Sequence, residues 1–488
     1  MFVGLDMGTS VVKAAAFADD GATLRVESMP ISLGGQGEHV EQDVEEVVRA
    51  ATGVLAAVSE GQAPALVAIT GQGDGLWLVD AGGRAVRPAM SWMDGRAGGL
   101  VAGWMADGTA ERLYRRTGNV LFPGSPGPLL AWLDRHEPQS LDAATTAACC
   151  KDVVHLRLTG ERGTDLSDAS VPFLDPRTRT YAPEALADLG LGHRAGLLPP
   201  IAATLPYGQA RGHIAGLPDG TPVTGGPYDL PASATGAGVT EPGDGLLIVG
   251  TTLACQVVVE RVALDEDPVG FHLATARPDR HMRALPAMTG TVALDWVLGL
   301  TGTTHDQLSE LLDATPRGAR GVAALPYLSP SGERVPFVDP AARAEFTGLD
   351  LRATRADLVR AMCEAIAFAA RHCLEAAGLT GRLAVCGGGA RNPAWLRLFA
   401  DVLGRPLRVA RGPEPGARGA VLAGVAAHGD TLGRQLDVAR WTAPEAVIDP
   451  DPAGVAYYEH AYADYLFRVE SARNRWAGPA DARGAGRP

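Results

Sequence analysis

The sequence predicts an α/β protein built from two duplicated halves, and three observations carry that expectation. The chain opens with an apolar run, Phe2–Leu5, that reads as a buried strand, passes a small polar turn and returns through β-branched Val11 and Val12. The stretch Leu246-Leu-Ile-Val-Gly250-Thr251-Thr252 repeats this theme of apolar strand, glycine and two hydroxyls, with a β-rich return from Gln256 to Val259; Gly250 lies 242 residues after Gly8. Amphipathic helical patterns alternate with Pro/Gly loops over residues 100–220, and strand-then-helix order recurs near the end of the second half. The composition break Glu241-Pro-Gly-Asp-Gly245 marks the boundary, so the expected domains are 1–240 and 241–475, with a Gly/Pro/Arg-rich tail, 476–488, expected to be disordered.

Composition narrows the function class. The chain has 488 residues, 46% of them apolar, and a net charge of −13. That charge argues against nucleic acid as a main partner and against an anionic membrane surface. Asp6 interrupts the first apolar run and no basic region precedes it, so no signal peptide is expected. No uncharged run is long enough to span a membrane. The cysteines are Cys149, Cys150, Cys255, Cys363, Cys373 and Cys386, with no C-x-x-C pair; they are expected to be reduced and buried in a cytoplasmic protein.

The opening turn carries the first chemistry. Asp6 ends the strand, Gly8 permits a sharp turn, Thr9 and Ser10 offer hydroxyls and N–H groups, and Lys13 offers a point charge. A carboxylate for Mg²⁺, donors for phosphate oxygens and one cation are what phosphoryl transfer requires. An ordinary N-terminal hairpin with a glycine turn would read the same way. The chain has 43 basic residues, yet only Lys13 and Lys151 are lysines. A lysine retained at a phosphate-like turn suits a compact ammonium better than a guanidinium fork.

Further along, an apolar strand from Ala65 to Thr70 delivers Gly71-Gln72-Gly73-Asp74-Gly75, and a strand follows from Leu76 to Val79. This G-x-G-x-G stretch lacks the helix a dinucleotide fingerprint requires. It reads as a loop bringing backbone and Asp74 close to a small ligand, with a glycine-rich hairpin as the alternative. Trp92, Asp94 and Arg96 can form an apolar wall with two polar groups at its rim, or a core tryptophan beside a surface ion pair. Pro123-Gly-Ser-Pro-Gly-Pro128 reads as a stiff irregular loop. A short strand, Thr221–Gly226, leads into a turn holding Asp229, placed either as a base or as a helix cap. Thr354-Arg-Ala-Asp357 starts a helix that stops near Gly378. The strand Leu383–Cys386 then delivers Gly387-Gly388-Gly389-Ala-Arg-Asn392, a turn suited to close approach of a flat ring or phosphates.

Taken together, these stretches resemble the FGGY carbohydrate kinases, of the actin/hexokinase/Hsp70 superfamily, over about residues 2–470. The matching pieces, in order, are the opening hairpin, Gln72 with Trp92-x-Asp94-x-Arg96, Lys151–Gly160, Asp229, Gly250-Thr251-Thr252, and the segments Pro326–Ser329, Gly332–Arg334 and Gly387–Asn392. The resemblance implies two actin-like (ribonuclease H-like) ATPase domains with a cleft between them, and ATP with Mg²⁺ as cofactors. It implies that Asp229 takes the proton from the attacking hydroxyl and that Asp6 helps hold Mg²⁺. Thr9, Ser10, Lys13, Gly250, Thr251 and Thr252 would cradle phosphates; Gly388, Gly389 and Asn392 would border the adenosine. Gln72, Gly73, Asp74, Trp92, Asp94 and Arg96, with Asp229, would bind the sugar. Neither lysine follows the glycine of a Walker motif, so a P-loop is excluded.

Departures bear on the acceptor. Many xylulokinases carry Met-His, and glycerol kinases Arg-Glu, where this chain has Gly73-Asp74; an acid here is closer to a polyol pattern, because a carboxylate accepts hydrogen bonds from vicinal hydroxyls. Leu230 stands where relatives often have Asn or Gln. The expected substrate is therefore an erythritol-like polyol first and D-xylulose second. A hydrolysing or ATP-binding protein of the actin/Hsp70 type is the rival, opposed by Asp229 and the Trp92 segment. The phosphorylated hydroxyl and the regulation are left open, as is the oligomeric state, with a homodimer as one candidate.

Overall fold

The computed structural model describes residues 1–60, 62–171, 173–212 and 216–476, so the expected disordered tail lies outside the described residues from 477 on. Trp476 is not part of a tail: it ends the helix Pro452–Trp476. The chain clusters into two compact units. One takes Met1–Thr240, Val259–Arg283 and Arg411–Ala443; the other takes Glu241–Val258, Ala284–Ala410 and the chain from Pro444 on.

In the first unit the strands Phe2–Met7, Val11–Phe17 and Thr23–Pro30 form an antiparallel meander. The opening strand also pairs parallel to Val67–Gly71, which pairs parallel to Pro222–Gly225; Tyr207–Gln209 closes the far edge. Both faces are covered. Val3, Leu5 and Met7 pack with Val47, Ala51, Val54 and Leu55 of helix Val44–Ser59 and with Val153, Val154 and Leu158 of helix Cys150–Thr159. Phe2, Ala15, Phe17 and Ala68 pack with Ala417, Ala420 and Val421 of helix Pro415–Leu432 and with Trp441. Strands buried on both faces lose the polar alternation of a solvated sheet, which is why the opening run is apolar throughout. Helix Val44–Ser59 starts where the Asp43 side chain accepts the N–H groups of Glu45 and Glu46.

Helix Pro415–Leu432 comes unusually close to the sheet. A Cβ at Gly4 would lie 2.2 Å from the Ala417 carbonyl oxygen, so backbone meets backbone there. Helix Asp229–Gly236 packs on it in the same way: a Cβ at Gly236 would lie 1.9 Å from the Pro415 oxygen, and one at Gly419 would lie 1.8 Å from the Ala232 oxygen. The small-residue run after Asp229 thus serves helix-to-helix contact. Arg418 is buried in this layer and donates to the carbonyl oxygens of Gly21 at 2.6 Å and Trp441 at 3.3 Å, its guanidinium lying 4.7 Å from the centre of the Phe17 ring.

The second unit repeats the topology. Gly245–Val249 and Leu253–Val259 form an antiparallel hairpin, and Gly245–Val249 runs parallel to Leu383–Cys386, which runs parallel to Leu407–Val409. Helix Arg355–Ala377 opens on the expected capping box, with the Thr354 and Asp357 side chains exchanging hydrogen bonds with each other's backbone, and ends at Gly378 with φ 91°. The Pro123–Pro128 segment is only half loop: helix Pro126–His136 begins inside it, because a proline at the first helical position loses no intrahelical hydrogen bond. All six cysteines are free and buried, as expected. Among the described residues no helix is long and apolar enough to cross a membrane.

Replacing Arg418 by Met keeps the packing volume but strands the Gly21 and Trp441 carbonyl oxygens away from water. Arg418→Met should destabilise the protein by about 2 kcal/mol or more, read as a lower midpoint in chemical unfolding. A midpoint within experimental error of wild type would refute this role.

Candidate active site

The opening turn is built on the register of its hairpin. Asp6 pairs with Lys13 across the two strands, so carboxylate and ammonium flank the turn that carries Gly8, Thr9 and Ser10. Lys13 Nζ donates to Glu414 Oε1 at 3.1 Å and Oε2 at 3.3 Å. Glu414 immediately precedes helix Pro415–Leu432, and a Cβ at Gly416 would lie 2.9 Å from Asp6 Oδ2. The Asp6 pKa is pushed up to about 6, first by burial and then by the Glu414 charge, against the pull of Lys13. Ser10 is exposed and Thr9 half-buried.

Thr9 also joins the turn to the segments expected to bind sugar. Its hydroxyl accepts the indole N–H of Trp92 at 2.9 Å, and its carbonyl accepts Gln42 Nε2 at 2.8 Å. Gln42 Oε1 in turn accepts Gln72 Nε2 at 2.9 Å. Gln72 and Trp92, twenty residues apart in the sequence, are thereby held on one short polar chain. Asp94 and Arg96 are engaged with each other: Asp94 Oδ1 accepts Arg96 Nε at 2.8 Å and Asp94 Oδ2 accepts Arg96 Nη2 at 2.8 Å. Asp94 also takes the Val40 N–H, Arg96 reaches Glu41 at 2.6 Å, and the Arg96 guanidinium lies 5.1 Å from the centre of the Trp132 ring. Both side chains are buried, and their geometry is that of a clamp fixing the Trp92 loop.

Asp74 is buried in a left-handed backbone conformation, φ 56°, between Gly73 and Gly75. Tyr228 donates its hydroxyl to Asp74 Oδ2 at 2.9 Å. The neighbouring Asp229 is the first residue of helix Asp229–Gly236; Tyr228 takes the cap position and no side chain caps the helix, so Asp229 is not the helix cap that its sequence context also allowed. Its Oδ1 is buried with no hydrogen-bond partner. Burial, then the charges of Asp6 and Asp168, push its pKa well above the ordinary carboxylate range, against the Leu230 N–H that favours the ionised form.

A buried charge cluster supports this corner, and it contains the chain's second lysine. Lys151 Nζ lies 2.8 Å from Asp152, 3.0 Å from Asp165 and 2.9 Å from Asp168, with no exposed side-chain surface. Burial pulls its pKa down, but the three carboxylates outweigh burial and hold it well above the usual ammonium value. Asp168 is pushed up to about 8 by burial in spite of Lys151. Asp165 Oδ2 accepts the Ser167 hydroxyl at 2.5 Å, and Ser167 Oγ accepts the Tyr228 N–H at 2.9 Å, so the cluster ends next to Asp229. Tyr228, Ser167 and Glu414 were not singled out from the sequence. Tyr228 lies 61 residues from Ser167 and 154 from Asp74, and Glu414 lies 401 from Lys13, so only the folded chain brings these pairs together.

In the second unit the turn Gly250–Thr252 is also ordered by a helix: the Gly250 carbonyl accepts the N–H of Thr291, first residue of helix Thr291–Thr301, at 2.8 Å. Thr251 is exposed and Thr252 half-buried. The triple glycine has a different reason at each position. A Cβ at Gly387 would strike the Val249 oxygen at 2.5 Å, one at Gly389 would strike Val249 Cγ1 at 2.4 Å, and one at Gly388 meets nothing within 4 Å. Of the three, Gly388 has open space where a Cβ would stand, and its backbone is exposed. Asn392 caps helix Pro393–Leu403 through Oδ1 to the Trp395 N–H at 3.0 Å. Glu333 is spent on structure too, accepting the Met288 N–H at 3.0 Å.

A duplicated hairpin-and-parallel-strand fold with a hydroxyl-bearing turn in each copy, and a buried carboxylate at a helix start in the first, defines a class: this chain belongs to the FGGY family of carbohydrate kinases, whose N-terminal domain model matches residues 1–236 and whose C-terminal domain model matches residues 246–428. It is 33% identical over 494 residues to the erythritol kinase of Brucella abortus (strain 2308), covering 95% of each chain, and 29% identical over 452 residues to the xylulose kinase of Escherichia coli (strain K12), covering 88% of this chain and 90% of that one. Among solved structures, the xylulose kinase from Rhodospirillum rubrum matches with a TM-score of 0.86 at 30% identity, covering 97% of this chain and 99% of that one. The chain is accordingly a carbohydrate kinase with the actin-like fold in both halves, and the family implies ATP as its phosphoryl donor. The actin/Hsp70-type alternative is not favoured.

Breaking the cluster from its centre tests its electrostatics. Lys151→Met leaves three buried carboxylates without a counter-charge and should cost roughly 3–5 kcal/mol of stability near pH 8. The sign with pH follows from the raised carboxyl groups. A carboxyl with a folded pKa above its unfolded one stabilises fully below the unfolded value, and this is lost as pH rises through the folded value. Asp152 and Asp168 are already raised, and losing Lys151 raises them further, so the deficit against wild type should shrink as pH falls toward 5. Unfolding curves at several pH values would show it; a deficit that does not change with pH would overturn this account.

Proposed function

We propose that the protein transfers the γ-phosphoryl group of ATP to a hydroxyl of a small polyol or ketose, an erythritol-like polyol first and D-xylulose second, with Asp229 as general base. The observation that carries this reading is the Asp229 carboxylate: buried, unpartnered at Oδ1, held at a helix start, and next in sequence to the tyrosine that grips Asp74. A carboxylate oxygen with no hydrogen-bond partner of its own is free to accept the proton of an alcohol.

In this mechanism Asp74 accepts hydrogen bonds from acceptor hydroxyls beside the Trp92 ring, and the Asp94–Arg96 clamp and Gln72 hold that wall in place. The acceptor oxygen attacks the γ-phosphorus as its proton passes to Asp229, and the bond from that phosphorus to the β–γ bridging oxygen breaks to release ADP. Thr9, Ser10 and Lys13 in the first unit, and Gly250, Thr251 and Thr252 in the second, hold phosphate oxygens. The open backbone at Gly388, with Gly389 and Asn392 behind it, borders the nucleoside. Asp6 offers a hard carboxylate oxygen of the kind Mg²⁺ takes, in a surrounding made more negative by Glu414, and is the residue that would hold the ion. That ion would neutralise charge on the phosphates when bound. The names of the relatives, an erythritol kinase and several xylulose kinases, support both acceptors, and the Gly73-Asp74 pair favours the polyol. The chain domains implied are an acceptor-binding one over 1–240 and an ATP-binding one over 241–475. A cytoplasmic setting, where ATP is supplied and thiols stay reduced, accords with the six free cysteines.

A coupled ADP-release assay over tetritols, pentitols, glycerol and ketopentoses tests the reading. The highest kcat/KM should fall on a tetritol; if every acceptor in the panel fails to release ADP above the ATP-only background, the reading is wrong.

The base is tested separately. Asp229→Asn should lower kcat by about a hundredfold or more while leaving ATP binding, measured by calorimetry, nearly unchanged. A variant that retains more than a tenth of wild-type turnover would remove Asp229 from this role.

A further inference from the structure

We infer that Tyr228 is a specificity-determining residue of the acceptor site: its ring fills the space above Gly73, and its hydroxyl sets the direction of the Asp74 carboxylate, so that the site takes a short polyol and excludes longer acceptors. The inference deepens the function proposed above and rests on it for the location of the acceptor.

Three observations place the ring. A Cβ at Gly73 would lie 2.4 Å from Tyr228 Cζ and 2.5 and 2.6 Å from its Cε2 and Cε1 atoms, closer than any side chain can approach. The ring therefore lies directly on the residue 73 backbone, and a side chain at 73 and an aromatic ring at 228 exclude one another. Second, the hydroxyl donates to Asp74 Oδ2 at 2.9 Å, and both groups are buried. Asp74 holds a positive φ that non-glycine residues seldom adopt, so its carboxylate direction depends on what grips it.

Third, the ring has little freedom to move away. The Tyr228 N–H is held by Ser167 Oγ at 2.9 Å, and Ser167 is held by Asp165, which pairs with the buried Lys151 at 3.0 Å. The preceding carbonyl, that of Pro227, accepts the Thr70 hydroxyl at 2.6 Å, and the Tyr228 carbonyl accepts the Ala232 N–H at 2.9 Å. Tyr228 is thus tethered at its backbone and at its hydroxyl, one residue before the base and in contact with the acid that reads the acceptor. A rigid wall of this kind discriminates by size, and one methylene in such a pocket changes kcat/KM by about 10–200-fold.

Two kinetic variants and one stability cycle test the inference. Tyr228→Phe keeps the ring and removes the grip on Asp74; KM for the preferred polyol should rise about tenfold or more, with KM for ATP within about twofold. Tyr228→Gly opens the wall; the ratio of kcat/KM for pentitols and ketopentoses over that for the tetritol should rise about tenfold or more. Independently of any substrate, Gly73→Ala alone should lower the thermal midpoint, and adding Tyr228→Gly should restore part of it, because the second change removes the ring that the new methyl strikes. If the wild type turns over the tetritol while Tyr228→Phe leaves its KM unchanged and Tyr228→Gly leaves the acceptor ratio unchanged, the specificity role is overturned and the kinase reading stands. Absence of the stability coupling overturns the placement of the ring. If the wild type phosphorylates none of the acceptors, the functional reading falls, and this inference falls with it.

Discussion

Burying Lys151 among Asp152, Asp165 and Asp168 is the constraint from which the acceptor corner is built. An unpaired ammonium in that position would cost several kcal/mol, and so would any of the carboxylates alone. Where they are held together, the one ammonium offsets part of the cost of burying the three acids, each within 3.0 Å of it. The cluster extends outward through hydrogen bonds, from Asp165 to Ser167 and from Ser167 to the Tyr228 N–H, and so reaches the residue before Asp229. One cation for three acids leaves negative charge in excess, and Asp168, pushed up to about 8 by burial, absorbs part of it by holding a proton near neutral pH. Asp229 is raised chiefly by its own burial and then by the charges of Asp6 and Asp168.

A second constraint acts from the other side of the same sheet. Helix Pro415–Leu432 lies against the opening strand at Gly4 and against helix Asp229–Gly236 at Gly236 and Gly419, with no side chain between the backbones. A side chain at any of these glycines would force the helix away. Its N-terminal end then brings Glu414 to Lys13 and Gly416 to Asp6, so a segment more than 400 residues from the opening turn completes that turn's charge pattern. Catalytic geometry here depends on small residues at helix crossings as much as on the polar groups themselves.

Much of the fold was legible in the sequence because its signals are local. The strand–glycine–hydroxyl hairpins, the capping box at Thr354, the Gly378 stop and the Leu383–Cys386 strand all depend on residues within a few positions of one another. The alternatives left open at single residues divided in an instructive way. The sequence around Asp229 allowed a base or a helix cap, and in the structure the cap position falls to Tyr228, with no side-chain cap hydrogen bond, and Asp229 is the first residue of the helix. Asp94 and Arg96 allowed either a ligand rim or a surface ion pair, and they form an ion pair that is buried, beside Glu41 and Trp132. The Pro123–Pro128 run suggested only a loop, because a proline at a helix start and a proline in a turn look alike until the residues beyond are placed.

What the sequence by itself determined is the duplicated α/β plan, the two hydroxyl turns, the acid at the helix start and the family to which they belong. These follow from periodicity, turn chemistry and motif order, which act along the chain. What only the tertiary structure decided is who meets whom: Lys13 with Glu414, Tyr228 with Gly73 and Asp74, Lys151 with its three aspartates, and the return of residues 259–283 and 411–443 to the first unit. Those meetings are enforced by burial. Charged and aromatic groups removed from water must find partners wherever in the chain the partners lie, and nothing in the spacing of residues announces which partner that is.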